Sequence, residues 1–292
     1  MSNPVFENSP YFGERRKRTT TPNGYPAHPG YAPGAGTTYQ QPQVDPRQVQ
    51  NLEHAYQQPA AGPVQTGRLS YDDVIVKTGG LLALVVVMGA VNWFVLDGNI
   101  AITVVGAVVG LVLGLVNAFK KEPSPALITA YAAAQGLFLG GISMFFETVY
   151  PGIVVQAVLA TGATFVATLL LFTSGAVRVT PKFTRFVLIA LVGYALFSII
   201  NLGIMWFGDN DSAFGLRTSV EIMGIPLGVF VGIFAVGLAA MCLIMDFDAI
   251  KRGVEAGVPS RYAWSAAFGL IVTLVWLYLE FLRLLAILRG NN

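Results

Sequence analysis

Charge is what this 292-residue chain has little of: 12% of its residues are Asp, Glu, Lys or Arg, against 54% hydrophobic. A soluble domain carries about twice that share of charge. Cysteine and histidine are scarcer still. The single cysteine, Cys242, excludes an intramolecular disulfide and, within an apolar run, reads as a small core residue. The two histidines, His28 and His54, lie far from it, so no Cys/His cluster offers ligands for zinc-type chemistry. No Walker loop is present, nor a nucleophile elbow with a partner base. The chain therefore reads as a non-enzyme that needs no cofactor.

What the chain has in abundance is long apolar runs. Seven of them are long enough, at about 20 residues each, to cross a hydrocarbon layer. They fall at 74–96, 100–119, 126–147, 152–174, 185–207, 224–246 and 263–288. None alternates in the manner of a strand, and an unclosed sheet cannot satisfy its backbone in lipid. The expected fold class is all-α, a polytopic protein whose first partner is the lipid bilayer. Trp93, Trp206 and Trp264 fall near span ends, where an indole suits the interface, whereas Trp276 falls inside a span and reads as packing.

Residues 1–70 are a separate unit from the seven-helix domain expected over 71–292. They hold 10 of the 16 prolines, both histidines and a Pro/Tyr/Gln/Gly-rich sequence typified by "GYPAHPGYAPGAGTTYQQPQ". Such a composition buries too little apolar surface to offset its ordering entropy, so a disordered tail is expected. The basic "RRKR" at 15–18 is followed by no apolar stretch, which argues against a cleaved signal. It suits anionic headgroups better than nucleic acid. Lys and Arg crowd the tail and the links after the second, fourth and sixth spans, while the opposite links hold Arg217 alone. The positive-inside tendency makes the tail cytoplasmic and, with seven spans in the cell's inner (plasma) membrane, puts the carboxyl terminus outside.

Glycines recur at four-residue spacing within spans: Gly106, Gly110 and Gly114; Gly136 and Gly140; Gly228 and Gly232. That spacing lets neighbouring backbones approach closely, within one bundle or across a dimer. The intramembrane acids carry more chemistry. Asp246 lies near the end of the sixth span, and Asp248 points to a different face of the same helix. Glu280, in "VWLYLEFLRLLAIL" (275–288), lies deepest. A charge there costs at least about 2.5–3.5 kcal/mol unless it faces the bundle interior, is paired or is protonated. Two readings stay open. Glu280 pairs with Arg283 one turn on, or it approaches Asp246, where two carboxylates need a cation or a shared proton. The second arrangement would offer hard oxygen ligands suited to calcium.

The closing "LYLEFLRLLAIL", the sixth-span "MDFDAIKRG" and the third-span "YAAAQGLFLGGISMFFE" together resemble the motifs of the Bax inhibitor-1 family. More narrowly, the chain is similar to bacterial, actinobacterial-type members with a long Pro-rich tail. The resemblance covers roughly residues 70–290. It implies seven helices with the last one central, a pH-dependent calcium leak and, for some members, modulation of a membrane-bound protease. It also implies that Asp246, in "DFDAI", and Glu280, in "LYLE", form a proton-sensing pair, closed when they share a proton and open when repulsion separates them. Asp248 and Arg283 would be auxiliary. Two departures stand out: the second acid is Glu rather than Asp, and the acids are 34 residues apart, about ten more than the family usually shows. Two functions follow for testing: a cation leak gated by Asp246 and Glu280, or an interaction protein that binds a membrane protease.

Overall fold

The computed structural model describes residues 67–207 and 214–290; the expected tail, up to residue 66, lies outside the described residues. Helix α1 (Tyr71–Phe94) begins where the Ser70 hydroxyl accepts the Asp73 amide at 3.1 Å and donates to the Asp73 carboxylate at 2.9 Å. Asn99 caps α2 (Ile100–Phe119) in the same manner, Pro125 opens α3 (Pro125–Val149), and Gly152 in the left-handed region precedes α4 (Ile153–Thr173). Then come α5 (Pro181–Phe207), the four-residue α6 (Leu216–Ser219) and a hairpin of β1 (Glu221–Ile222) and β2 (Ile225–Pro226). Helix α7 (Leu227–Glu255), a 3-10 turn (Ser260–Tyr262) and α8 (Ala263–Gly290) complete the domain.

Seven of these helices, all but α6, are long and apolar enough to cross a membrane. This is an all-α multi-pass membrane protein. Most ends lie within a few residues of those read from hydropathy. The exception is α7, which runs nine residues past the expected 246, since hydropathy marks where the apolar run stops and not where the helix does; the polar extension is tied by Asp248–Arg252 (3.0 Å) and Lys251–Glu255 (3.9 Å) one turn apart. Residues 68–70 make contacts with the helical domain. The Leu69 amide donates to Val258 O at 2.7 Å, and the Leu69 side chain is buried in the core.

The last helix is the axis of the bundle. It packs against α1, α3, α4 and α7, and its buried residues, among them Ile271, Leu277, Leu282 and Ala286, point to several sides. The outward faces of the other helices carry exposed Val, Leu, Ile and Phe, as lipid requires. The odd number of spans puts the start of α1 and the end of α8 at opposite ends. At one end the chain before α1 pairs with Pro259, and Arg261 reaches Glu122 of the α2–α3 link at 3.5 Å; at the other, Arg289 donates to Pro151 O at 2.8 Å.

The spaced glycines pack inside the bundle. Gly89 of α1 faces Gly136 and Gly140 of α3, and Gly106 and Gly110 of α2 lie against Ala134, Phe138 and Gln135 of α3. Buried Asn92 locks the crossing, its amide donating to Leu137 O at 2.6 Å and Thr103 Oγ1 at 3.1 Å. A Cβ on Gly106 would stand 2.8 Å from Ala134 O, whereas Gly162 on α4 has nothing within 4 Å. Gly106→Leu is expected to cost about 1–3 kcal/mol, the usual range for overpacking. Gly162→Leu should leave stability unchanged or slightly raised, and thermal unfolding in detergent micelles compares the two.

Candidate functional site

Thr273 and Glu280 are seven residues apart on α8 and so share one face. Asp246 of α7 meets that face at Thr273, whose hydroxyl donates to Asp246 Oδ2 at 2.7 Å and also reaches Gly269 O at 3.1 Å. Gly269, one turn earlier, lies beside the carboxylate: a Cβ there would be in ordinary contact with Asp246 Oδ1, at 3.6 Å. Asp248 points elsewhere and pairs with the exposed Arg252. Asp246 is thus the acid of the two that faces α8.

Glu280 is 1% exposed and stands in a cluster of its own. Its Oε1 accepts from the Tyr194 hydroxyl of α5, from Trp276 Nε1 at 3.2 Å and from Arg283 Nη1 at 2.9 Å. Its Oε2 accepts no hydrogen bond, and Arg217 Nη1, which likewise donates none, lies 3.7 Å from it. The other Arg217 nitrogen, Nη2, donates to Tyr194 Oη at 3.1 Å and Ser198 Oγ at 3.2 Å, while Arg283 Nη1 also reaches Tyr194 Oη at 3.2 Å. The Tyr194 hydroxyl therefore uses its one proton on the carboxylate and both its lone pairs on the two arginines. Two guanidiniums around one carboxylate leave the cluster with one positive charge in excess.

Arg217 is 3% exposed although it comes from the connector between α5 and α7. Four features put it there. Asn201 of α5 holds the connector, its Oδ1 accepting the Leu216 amide at 2.8 Å and its Nδ2 donating to Phe214 O at 3.2 Å. Phe214 stacks on Phe146 of α3 with centroids 6.4 Å apart. On the other side the hairpin returns through Met223 and Gly224, both at positive φ as a tight two-residue turn needs, and brings α7 back beside α6. Gly228 then lets the chains touch, since a Cβ there would stand 2.8 Å from Arg217 O. The guanidinium lies 5.5 Å from the Tyr194 ring centre and 5.4 Å from that of Phe197.

Of the residues singled out from sequence, the structure joins Glu280 to Arg283 and joins Asp246 to Thr273, but gives the two acids separate partners. Two turns of α8, about 10 Å of rise, lie between Thr273 and Glu280. The fully buried Leu277 sits in that interval. Trp276, read as packing, is a donor to Glu280. Neither Tyr194 nor Arg217 stands out as a site residue from sequence. Tyr194 carries no distinguishing spacing within an apolar run, and Arg217 reads as an ordinary outer-loop cation, although it is the one Lys or Arg in a set of links otherwise acidic. Among the described residues, no group of three or more His, Cys, Asp or Glu side chains is placed to hold a metal ion.

Comparison with known proteins adds the family. No curated protein matches the chain. The family model described as "Bax inhibitor 1 like" matches residues 3–290, nearly the whole length. With seven apolar helices, the last of them central, and the acid-bearing motifs in place, the chain belongs to the Bax inhibitor-1 family.

Proposed function

We propose that the protein is a pH-sensitive leak for calcium or another cation, with Asp246 and Glu280 as its ion- and proton-sensing stations. The observation that carries this reading is the alignment of the two acids along one face of the central helix, Asp246 through Thr273 and Glu280 two turns beyond. An acid inside a membrane domain is costly, faces protein or water, and typically marks a path for ions or protons. Carboxylate, hydroxyl and carbonyl oxygens, as gathered at Asp246, Thr273 and Gly269, are what a hard cation exchanges its water for. Calcium is cargo in this reading, not a resident ion. The path would run between a cytoplasmic side, bearing the tail and the basic links, and the outside of the plasma membrane.

Leu277 divides the two stations. It is fully buried and belongs to an apolar cluster with Ala239, Leu243 and Leu270. An apolar constriction of this kind stops ions by excluding water. A second reading, a non-transporting partner of a membrane-bound protease with the tail as docking segment, is favoured by one observation: Glu280 is already neutralised within the fold by Arg283 and Arg217.

Calcium flux into proteoliposomes between pH 5 and 8 separates the two. The leak reading expects wild-type flux above empty liposomes with a pH dependence that Asp246→Asn and Glu280→Gln each flatten. Flux indistinguishable from empty liposomes, or unchanged in both variants, favours the interaction reading, and crosslinking to a membrane protease then tests it. Leu277→Ser is expected to raise the leak several-fold at every pH by hydrating the interval between the acids. Unchanged flux in a folded Leu277→Ser protein would remove Leu277 as the barrier.

A further inference from the structure

The charge at Glu280 has the wrong sign for a station that admits cations from outside. Glu280 is the sole carboxylate in a cluster that also contains Arg217 and Arg283; Tyr194, Ser198 and Trp276 contribute neutral donors. Oε1 is saturated by three donors, so Oε2 is the oxygen left to meet an ion. Arg217 Nη1 faces that oxygen at 3.7 Å with no hydrogen-bond acceptor of its own, both groups being almost fully buried. A guanidinium placed for pairing alone closes to about 2.7–2.9 Å on a carboxylate. Here the position is imposed from behind, by Asn201, by the close approach at Gly228 and by the Tyr194 and Phe197 rings. The cation therefore covers Oε2 by its charge without consuming it in a hydrogen bond.

We infer that Arg217 is a tethered counter-ion that occupies, in place of an inorganic cation, the free oxygen of Glu280, and so sets how well the outer station binds cations. As an account of transport the inference rests on the leak reading; as an account of binding it stands apart from it. It assigns to the connector between α5 and α7 a selectivity role that no motif of the last two helices supplies. Arg283 cannot fill it, because Arg283 addresses Oε1 and Tyr194 and is itself 31% exposed.

Terbium provides a readout that does not depend on transport, since it takes calcium-type oxygen ligands and is sensitised by a nearby indole, and Trp276 touches Glu280. Full-length wild type, Arg217→Met, Arg217→Lys and the double variant Arg217→Met/Glu280→Gln are titrated with Tb3+ in micelles, and the same proteins are assayed for calcium entry into liposomes. Arg217→Met, similar in volume but uncharged, is expected to bind Tb3+ at least about tenfold tighter with Trp-sensitised emission, the scale on which a single neighbouring charge acts. That gain should vanish in the double variant, and Arg217→Lys should stay near wild type. Arg217→Gln, which keeps a donor toward Tyr194 and Ser198, replaces the Met variant if the latter does not fold. Equal Tb3+ affinity in wild type and the uncharged variant overturns the inference, as does a gain that survives Glu280→Gln or appears equally in Arg217→Lys. Tighter binding with faster calcium entry supports both the counter-ion and the leak, and tighter binding with no entry in any variant supports the counter-ion while the leak reading fails.

Discussion

A carboxylate carried on the axial helix of a lipid-surrounded bundle has to find its donors within the protein, and the geometry around Glu280 follows from that requirement. At 1% exposure it is out of reach of bulk solvent. Three elements are drawn in to supply what is missing: α8 itself through Trp276 and Arg283, α5 through Tyr194, and the connector through Arg217. The Tyr194 hydroxyl is the hub, because it alone bonds the carboxylate and both guanidiniums. Removing one member of such a buried set is far costlier than removing a surface ion pair, since the remaining charge stays buried without its partner. The cluster thereby links α5, which otherwise presents much of its surface to lipid, to the centre of the fold.

The bundle itself is legible from hydropathy because length and the absence of charge are local properties of a run. The glycine stripes are legible for the same reason: four-residue spacing selects a face, and the faces at Gly106 and Gly140 turn out to meet α3 and α1. The pairing of Glu280 with Arg283 is also local, three residues along one helix. Its other half is not. Nothing in "FGLRTSVEIMGIP" has a period, and Arg217 reaches Glu280 across 63 positions only because Asn201, Phe146 and Gly228, none of them adjacent in sequence, fix where the connector lies. Long-range placement of this kind is tertiary information. What a sequence could offer was the oddity of one arginine among Asp97, Asp209, Asp211 and Glu221 on the expected outer side.

The spacing of the acids shows how a shared motif can hold a different geometry. Thirty-four residues separate Asp246 from Glu280, and α7 and α8 take up that length as continuous helix on both sides of the turn at residues 256–262. The longer arms carry Asp246 to Thr273 rather than to Glu280. Each acid is then stabilised on its own terms, one by a hydroxyl and the other by two cations, and neither depends on sharing a proton with the other for its place in the fold.

That separation changes what a path through the bundle would have to overcome. A directly bonded acid pair is a single barrier, relieved by one change of protonation. Two acids whose contact points on α8, Thr273 and Glu280, lie about 10 Å apart, with Leu277 buried in the interval and an arginine against Glu280, would make barriers in series: an apolar interval that excludes water and a positive charge that repels cations. Protonating an acid addresses neither directly, since it adds no water around Leu277 and leaves Arg217 even less compensated. On the leak reading, opening would therefore involve the packing between α7 and α8 and the seat of the connector as well as the charge state of the two carboxylates.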